Sequence, residues 1–461
     1  MTFTPKAPTP SYFNIDPEAA AARLSEPIDT ARFAKAAAFA TKGRDDLSKR
    51  GYAPDGKKRL RKFSTWEVCR YLLDVAPAHL RRVLKAHPEL PQGAGEAGSK
   101  WFALEDVLIL REYFATEGAS NKQYKSWRPD GLPAKIISVA NFKGGVGKTS
   151  TCAHLAMSAA LDGYRVLVID LDSQGSLTSI MGGVVPDEWS TAFPLLAKDF
   201  ANHLRGENAV RAARGQAELP LDETLTESLE VSPRNLIQNT HWPNIDLIGA
   251  QLNLYWAEFQ VPVWRMQVRS WPLWDALTNA LSSEGILDDY DLIFIDTPPA
   301  LGYLTINALA AADILLVPLG ASFLEFDSTG RFFDMLYSTF ASIEEGENRI
   351  RRQDGLSEMK FEWDAVRALI TRFDAGQQTD LANVIQAYFG DFMTTYRQEV
   401  TAMVGQAGEQ VNGIYEADYR EFNRDTYVRG RETFDRTWAE VKEVVLGTWW
   451  RDLQALKQEE E

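Results

Sequence analysis

From residue 134 onward the chain alternates short, almost wholly apolar runs with stretches whose apolar positions recur every three or four residues. The runs at 136–140, 166–171, 245–249, 290–296, 313–318 and 366–371 read as strands. Because they are continuously apolar, with little alternation, they predict a parallel sheet covered on both faces. Between them, Cys152, Leu155, Ala156, Ala159 and Ala160 form an i, i+3, i+4, i+7, i+8 stripe and predict a buried-faced helix. Cys152 is thereby expected to be a small core residue and no nucleophile. Residues 183–244 have weak periodicity and predict a polar, helical insertion lying on the surface. The tail, 429–458, predicts one long helix rich in tryptophan (Trp438, Trp449, Trp450) and interrupted at Gly447.

The front of the chain follows a different pattern. Residues 1–26 carry four prolines, and 27–48 look helical, either an arm or a dimerisation element. Ser64-Thr65-Trp66-Glu67 has the spacing of a capping box, so a short helix should start there and run to Leu73. A break at 74–76 precedes Pro77, a favoured first-turn residue. The helix after it should extend to about Lys85, with Leu80, Val83 and Leu84 inward and Arg81, Arg82 and Lys85 turned away. Two short helices about a tight turn, the second basic outside, fit a helix-turn-helix. Trp101-Phe102 and a helix to about Phe114 would close the unit, with the option of a wing. The competing reading is a small helical bundle with a solvated basic face. The expected organisation is 1–50 as arm, 51–130 as helix-turn-helix domain and 134–461 as the α/β domain.

Charge sharpens this division. Up to Pro133 there are 22 Lys and Arg against 16 Asp and Glu, a net of +6; the rest carries 27 against 48, −21, giving the chain's −15. A basic front on an acidic body marks the front as the nucleic-acid partner. The candidate DNA contacts are Lys57, Lys58, Arg59, Arg61, Lys62, His79, Arg81, Arg82 and Lys85. Two cysteines and five scattered histidines exclude a disulfide framework and a self-contained zinc site. A basic-then-apolar leader is missing, and no run approaches the ~18 apolar residues of a membrane span. The expectation is a cytoplasmic protein with no membrane partner.

The chemistry centres on Asn141-Phe142-Lys143-Gly144-Gly145-Val146-Gly147-Lys148-Thr149-Ser150, set between a strand and a helix. In that context glycines let backbone N–H groups close around phosphate oxygens, and the helix N-terminus adds positive potential. Lys148 reaches the β/γ-phosphates, and the Thr149 hydroxyl ligates magnesium. Phe142 occupies the place usually held by the first glycine, and Lys143 is a second lysine in the loop. Lys143 is either a solvated surface lysine or a residue reaching a nucleotide bound by a second subunit. Two strands end in carboxylates, Asp170 and Asp172 after 165–169 and Asp296 after 292–295. The C-terminal edge of a parallel sheet is where ligands bind. Alternation should turn Asp170 and Asp172 to the same side, with Asp172 nearer the phosphates. Asp172 is the candidate for orienting the attacking water, and Asp296 for holding a water on magnesium. Thr149, Asp172 and Asp296 form the candidate Mg²⁺ set, and Lys143, Lys148 and Asp172 the candidate catalytic set.

The stretches NFKGGVGKTS, VLVIDLDSQGSLTSI, FIDTPPALGYLTINAL, ADILLVPLG, ALITRFD and GEQVNGIYEADYREFNRDTYVRGRETFDRTW, in this order, resemble the ParA/RepA plasmid-partition ATPases with a deviant Walker-A loop, nearest to the RepA branch of repABC replicons. The resemblance spans roughly 60 to 445. It implies a P-loop NTPase-type α/β fold with helices on both faces, ATP and Mg²⁺ as cofactors, and a homodimer in which Lys143 crosses to the partner's nucleotide. It also implies non-specific DNA binding by the dimer, a ParB/RepB-type adaptor that stimulates hydrolysis, operator binding with autorepression by the front domain, and nucleoid association. Nucleotide contacts would come from Lys143, Gly144, Gly145, Val146, Gly147, Lys148, Thr149, Ser150 and Asp296, with Thr371, Arg372 and Pro318 toward the adenine. Ser173 stands where the family commonly has proline. Since the α/β half is acidic, DNA would need a local cluster such as Arg397, Arg420, Arg424, Arg429 and Arg431. The alternative is a nucleotide-regulated repressor without a motor role. A MinD-like membrane ATPase, an iron protein and an amidotransferase-type biosynthetic enzyme fit less well: the tail ends in glutamates, Cys152 has no second cysteine beside it, and a basic front has no use in biosynthesis.

Overall fold

The computed structural model describes residues 30–49, 58–95, 100–117, 124, 128–353 and 355–459, in two compact units, 1–56 and 57–461. In the first unit the described part is one helix, Thr30–Lys49, on which Phe33 and Phe39 are exposed. Lys57, expected to contact DNA, lies outside the described residues.

The second unit is organised by a seven-stranded sheet. With strands numbered in chain order, β1 (Phe63–Ser64) and β2 (Trp101–Phe102) form a separate antiparallel pair. The main sheet comprises β3 (Lys135–Val139), β4 (Val166–Asp170), β5 (Gln238–Asn239), β6 (Ile245–Ile248), β7 (Leu292–Asp296), β8 (Ile314–Gly320) and β9 (Ala365–Thr371). Their order is β5-β6-β4-β7-β3-β8-β9, parallel except for β5 at the edge. All six expected strands form; the two-residue β5 carried no apolar run to betray it.

Strand alternation divides the core in two. Ile137, Val139, Val166, Val168, Leu292 and Phe294 face one side, against the helix Lys148–Leu161 and the C-terminal helix. Ile136, Leu167, Ile169, Ile293 and Ile295 face the other. The expectation of a surface-lying insertion fails on that second side. The helix Phe193–Ala213 buries Leu195, Leu196, Ala197, Phe200, Ala201 and Leu204, and Phe200 stacks on Trp264 at 5.4 Å. Its apolar positions pack on the neighbouring helix Glu223–Leu229 and on residues more than fifty positions downstream, such as Trp264 and Trp271, which local periodicity could not reveal.

At the front, Ser64 and Glu67 close the capping box, with the Ser64 hydroxyl accepting from the Glu67 N–H and the Glu67 carboxylate accepting from the Ser64 N–H. The helical turn Thr65–Glu67 continues as a π-helical stretch, Val68–Leu72; Asp74, at φ 47°, makes the break, and Pro77–Ala86 follows. The helix Leu104–Glu117 completes the unit. Phe63, Leu72, Leu80 and Phe102 belong to the same apolar cluster as the Lys148–Leu161 helix, joined through Tyr427 and Phe434 of the C-terminal helix. That helix runs unbroken from Arg424 to Glu459, Gly447 included, with Trp438 and Trp449 buried and Trp450 exposed. Gly447 costs helix propensity only, which tertiary packing outweighs.

Candidate functional site

The glycine loop leaves β3 and enters the helix Lys148–Leu161 at the sheet's C-terminal edge. Gly145 and Gly147 sit at φ 74° and 84°, where a side chain is strained. The loop is braced from outside. The Asn141 amide donates to the Pro318 carbonyl at 2.8 Å, while its oxygen accepts from the Lys143 N–H. Thr371 donates to the Val146 carbonyl at 2.7 Å, and the Arg372 guanidinium donates to the Gly145 carbonyl at 2.7 Å. Arg372 itself adopts φ 52°. With these carbonyls engaged, the loop's N–H groups beyond Lys143 are left for a ligand.

The cleft over this loop has a volume of about 520 Å³. Gly144, Gly145, Gly147, Lys148, Thr149, Ser150, Asp172, Pro299, Thr371 and Arg372 line it, and Gln398 to Thr401, Val404 and Phe434 form its far wall. The sequence-level set is therefore largely brought together. Lys143, Val146, Asp296 and Pro318 do not line the cleft; Pro318 lies within β8 and holds Asn141 through its carbonyl. The Gln398–Thr401 wall was missed. It carries no motif, and the link of Gln398 to the Thr151 hydroxyl at 2.9 Å spans 247 positions.

Lys148 is buried, and its ammonium donates to the Lys143 carbonyl at 3.2 Å. Burial pulls its pKa down, opposed by Asp296 and then Asp172. Asp170, fully buried, accepts from the Thr178 N–H and hydroxyl and from the Asp172 N–H. Burial pushes it up to about 6. Asp170 thus anchors the turn, and only Asp172 of the pair, beyond the strand's end, reaches the cleft.

Both carboxylate oxygens of Asp296 are buried without a hydrogen-bond partner. Burial, and after it Asp170, drives this carboxyl well above the usual range, against the pull of the Thr149 hydroxyl and Lys148. An orphaned carboxylate buried behind the threonine and lysine that line a glycine-rich cleft fits Mg²⁺ entering with a phosphate ligand. Since its oxygens are closed to solvent, Asp296 would act through an intervening water. No cluster of three His, Cys, Asp or Glu able to hold a metal exists among the described residues, so Mg²⁺ would depend on the phosphates for the rest of its shell.

The Lys143 ammonium pairs with Glu325 at 3.4 Å. The DNA candidates divide. Arg59, Lys62, Arg81, Arg82 and Lys85 are exposed, and His79 is half-buried against the Arg82 guanidinium. Lys58 and Arg61 are corrected to internal ties. Lys58 donates to the carbonyls of Ile180 and Val411, and Arg61 to the Tyr415 carbonyl and Glu67. Arg431, expected in a DNA-facing cluster, is likewise buried against Asp435 at 3.0 Å. Cys152 is fully buried and its thiol is pushed up, as expected of a core residue. No helix among the described residues is long and apolar enough to cross a membrane.

Comparison with known proteins agrees with this geometry. A family model described as an AAA domain matches residues 134–349. Replication protein A of Rhizobium rhizogenes is 30% identical over 410 residues, 87% of this chain and 90% of that one. Protein SopA of Escherichia coli K12 is 29% identical over 296 residues, 63% of this chain and 67% of that one. A solved structure titled "Partition Protein" superposes with a TM-score of 0.55 at 16% identity, over 89% of this chain and 98% of that one, a likeness of fold.

Proposed function

This chain belongs to the ParA/RepA family of partition ATPases and is a P-loop ATPase, and from that premise we propose that it hydrolyses ATP slowly, as a switch that pairs two copies on DNA during segregation of a replicon. Carrying this reading is the meeting of Lys148, Thr149 and Asp172 in one glycine-lined cleft, with the buried carboxylate of Asp296 acting on Lys148 from behind it.

Phosphoryl transfer needs positioned charge and an aligned water more than covalent help from the protein. Lys148, already in the cleft and short of partners, exchanges a carbonyl for phosphate oxygens. The loop N–H groups and the start of the Lys148–Leu161 helix hold the remaining charge. Asp172 accepts from the attacking water. Thr149 would hold Mg²⁺ directly and Asp296 through water; bound there, the ion neutralises charge on the transferred group. Lys143 serves the nucleotide of the second copy, so occupancy and pairing depend on each other. To move from about 1:99 to 99:1 paired, nucleotide must favour the pair by roughly 5.5 kcal/mol.

DNA is assigned to two places. The front unit is read as a helix-turn-helix that binds operator DNA and represses its own operon. Its exposed Arg59, Lys62, Arg81, Arg82 and Lys85 suit phosphate contact. Non-specific DNA suits the pocket framed by Arg397, Arg429 and Arg436, which shares Glu399 with the nucleotide cleft. A ParB/RepB-type adaptor would stimulate hydrolysis, and the protein would work on the nucleoid. ATP turnover measured with DNA, with the neighbouring gene's product and with both, at two salt concentrations, tests the proposal. Joint stimulation, weakened by salt, supports it; indifference to both overturns it.

A further inference from the structure

Glu325 is the first-turn carboxylate of the helix Phe323–Gln353, and it sits in a notch made for it. The Gly320 N–H donates to its Oε2. A Cβ at Gly320 would lie 2.2 Å from that same oxygen, so only glycine leaves room for the carboxylate. The other carboxylate oxygen, Oε1, meets the Lys143 ammonium at 3.4 Å, with the glutamate side chain 17% exposed and the lysine 34%. Phe323 and Leu324, two residues and one residue before it, are exposed at 69% and 72%. The pair therefore lies on a surface with apolar side chains to offer another protein, with Lys143 one residue before Gly144 of the cleft lining.

We propose that Glu325 is a positioning residue that holds Lys143 in its own subunit until nucleotide on a second copy draws the lysine away. This rests on the reading that Lys143 serves the partner's nucleotide. The physics favours a reversible hold. When Lys143 leaves, Glu325 keeps the Gly320 N–H, so no buried carboxylate is stranded and release costs only the ion pair. A triphosphate offers the lysine more negative charge than one carboxylate, in a more enclosed place, and wins the competition. Glu325 thereby sets the threshold of protein and ATP at which pairing begins, and suppresses pairing without nucleotide.

The test uses the full chain, with ATP and Mg²⁺ as the probe, and sedimentation for the monomer–dimer equilibrium. Glu325→Gln keeps an acceptor for Gly320 and removes the charge. Gly320→Ala keeps the charge and pushes the carboxylate off its seat, which the flexible glutamate can accommodate. Each should tighten the ATP-dependent dimer by roughly two- to five-fold for each hold released, two per dimer, the range for a partly exposed pair. The protein concentration for half-maximal ATPase should fall, with kcat at saturation unchanged. If Lys143→Ala abolishes ATP-dependent pairing while both variants pair as the parent does, or worse, the hold is refuted and the role of Lys143 stands. If Lys143→Ala pairs normally with ATP, the reading beneath the proposal fails and takes it down.

Discussion

Tyr427, on the C-terminal helix, donates a 2.7 Å hydrogen bond to Glu67, the residue that caps the first helix of the front unit, 360 positions earlier. The same carboxylate accepts from Arg61 at 2.7 Å and from the Ser64 N–H at 2.9 Å, and it is fully buried. Burial alone would raise its pKa; Arg61 and the converging donors overcome that and hold it below the usual range. A local cap is thus also a clamp. It fixes the start of the front unit to the last helix of the chain, which packs on the nucleotide helix through Phe434 and His154, stacked at 4.0 Å.

Replacing Tyr427 by Phe removes one of these donors while leaving Arg61 and Ser64 in place. The expected loss is about 1–2 kcal/mol of unfolding free energy. Hydrogen exchange should rise first in residues 60–90, ahead of the sheet. Glu67→Ala should cost more, about 3 kcal/mol or above, because Arg61 then loses its buried partner. Equal effects of the two substitutions would contradict the clamp.

Asp172 lines the cleft, and its carboxylate accepts from the nearby Gln174 N–H. Asp172→Ala should keep ATP affinity within a few-fold and slow turnover by about 10²–10⁴-fold, the range for a positioned proton acceptor. Single-turnover hydrolysis alongside equilibrium nucleotide binding checks this. Undiminished turnover would remove Asp172 from the chemistry.

Asp296 should show two effects of opposite sign. Its orphaned, buried carboxyl destabilises the nucleotide-free protein, so Asp296→Asn should raise that form's thermal midpoint. The same variant should lose much of the added stability that Mg²⁺ gives on top of ATP. In the parent, ligand at 100 times Kd is worth about 2.7 kcal/mol. Calorimetry with ATP, with and without Mg²⁺, separates the two effects.

His154 supplies the pH dependence. It is fully buried, its Nε2 accepts from the Ile414 N–H, and its Nδ1–H donates to the Ser150 carbonyl at 2.6 Å. Burial holds its pKa down at about 4, against 6.5 in the unfolded chain. Between those values the unfolded chain binds the proton and the folded one does not, so stability is complete above about pH 6.5 and falls toward pH 4. The span amounts to about 3 kcal/mol. Asp170, raised to about 6, works the opposite way between its unfolded value and 6, so the parent's own curve is a sum. The diagnostic is the difference between parent and His154→Gln in urea unfolding from pH 7 to 4.5, which should shrink as pH falls.

The sequence by itself determined the sheet and the phosphate site, because both are written in contiguous residues. Six apolar runs became six strands, and the loop from Asn141 to Ser150 carried its glycines, its lysines and its helix start together. Asp172 and Asp296 were legible because a strand end is a local event. The capping box at Ser64 and Glu67 was legible for the same reason. Only tertiary structure decided which charges face water. Lys58 and Arg61 read as DNA-facing cations, yet each is spent on a carbonyl brought in from far along the chain, and Arg431, paired with Asp435 one turn on, is buried by what packs against its helix. The partner of Lys143, the wall at Gln398–Thr401 and the burial of the Phe193–Ala213 helix were hidden likewise. A charged side chain gives no local sign of where it will end; its place is settled by whatever the fold packs against it, through contacts that no short-range pattern encodes.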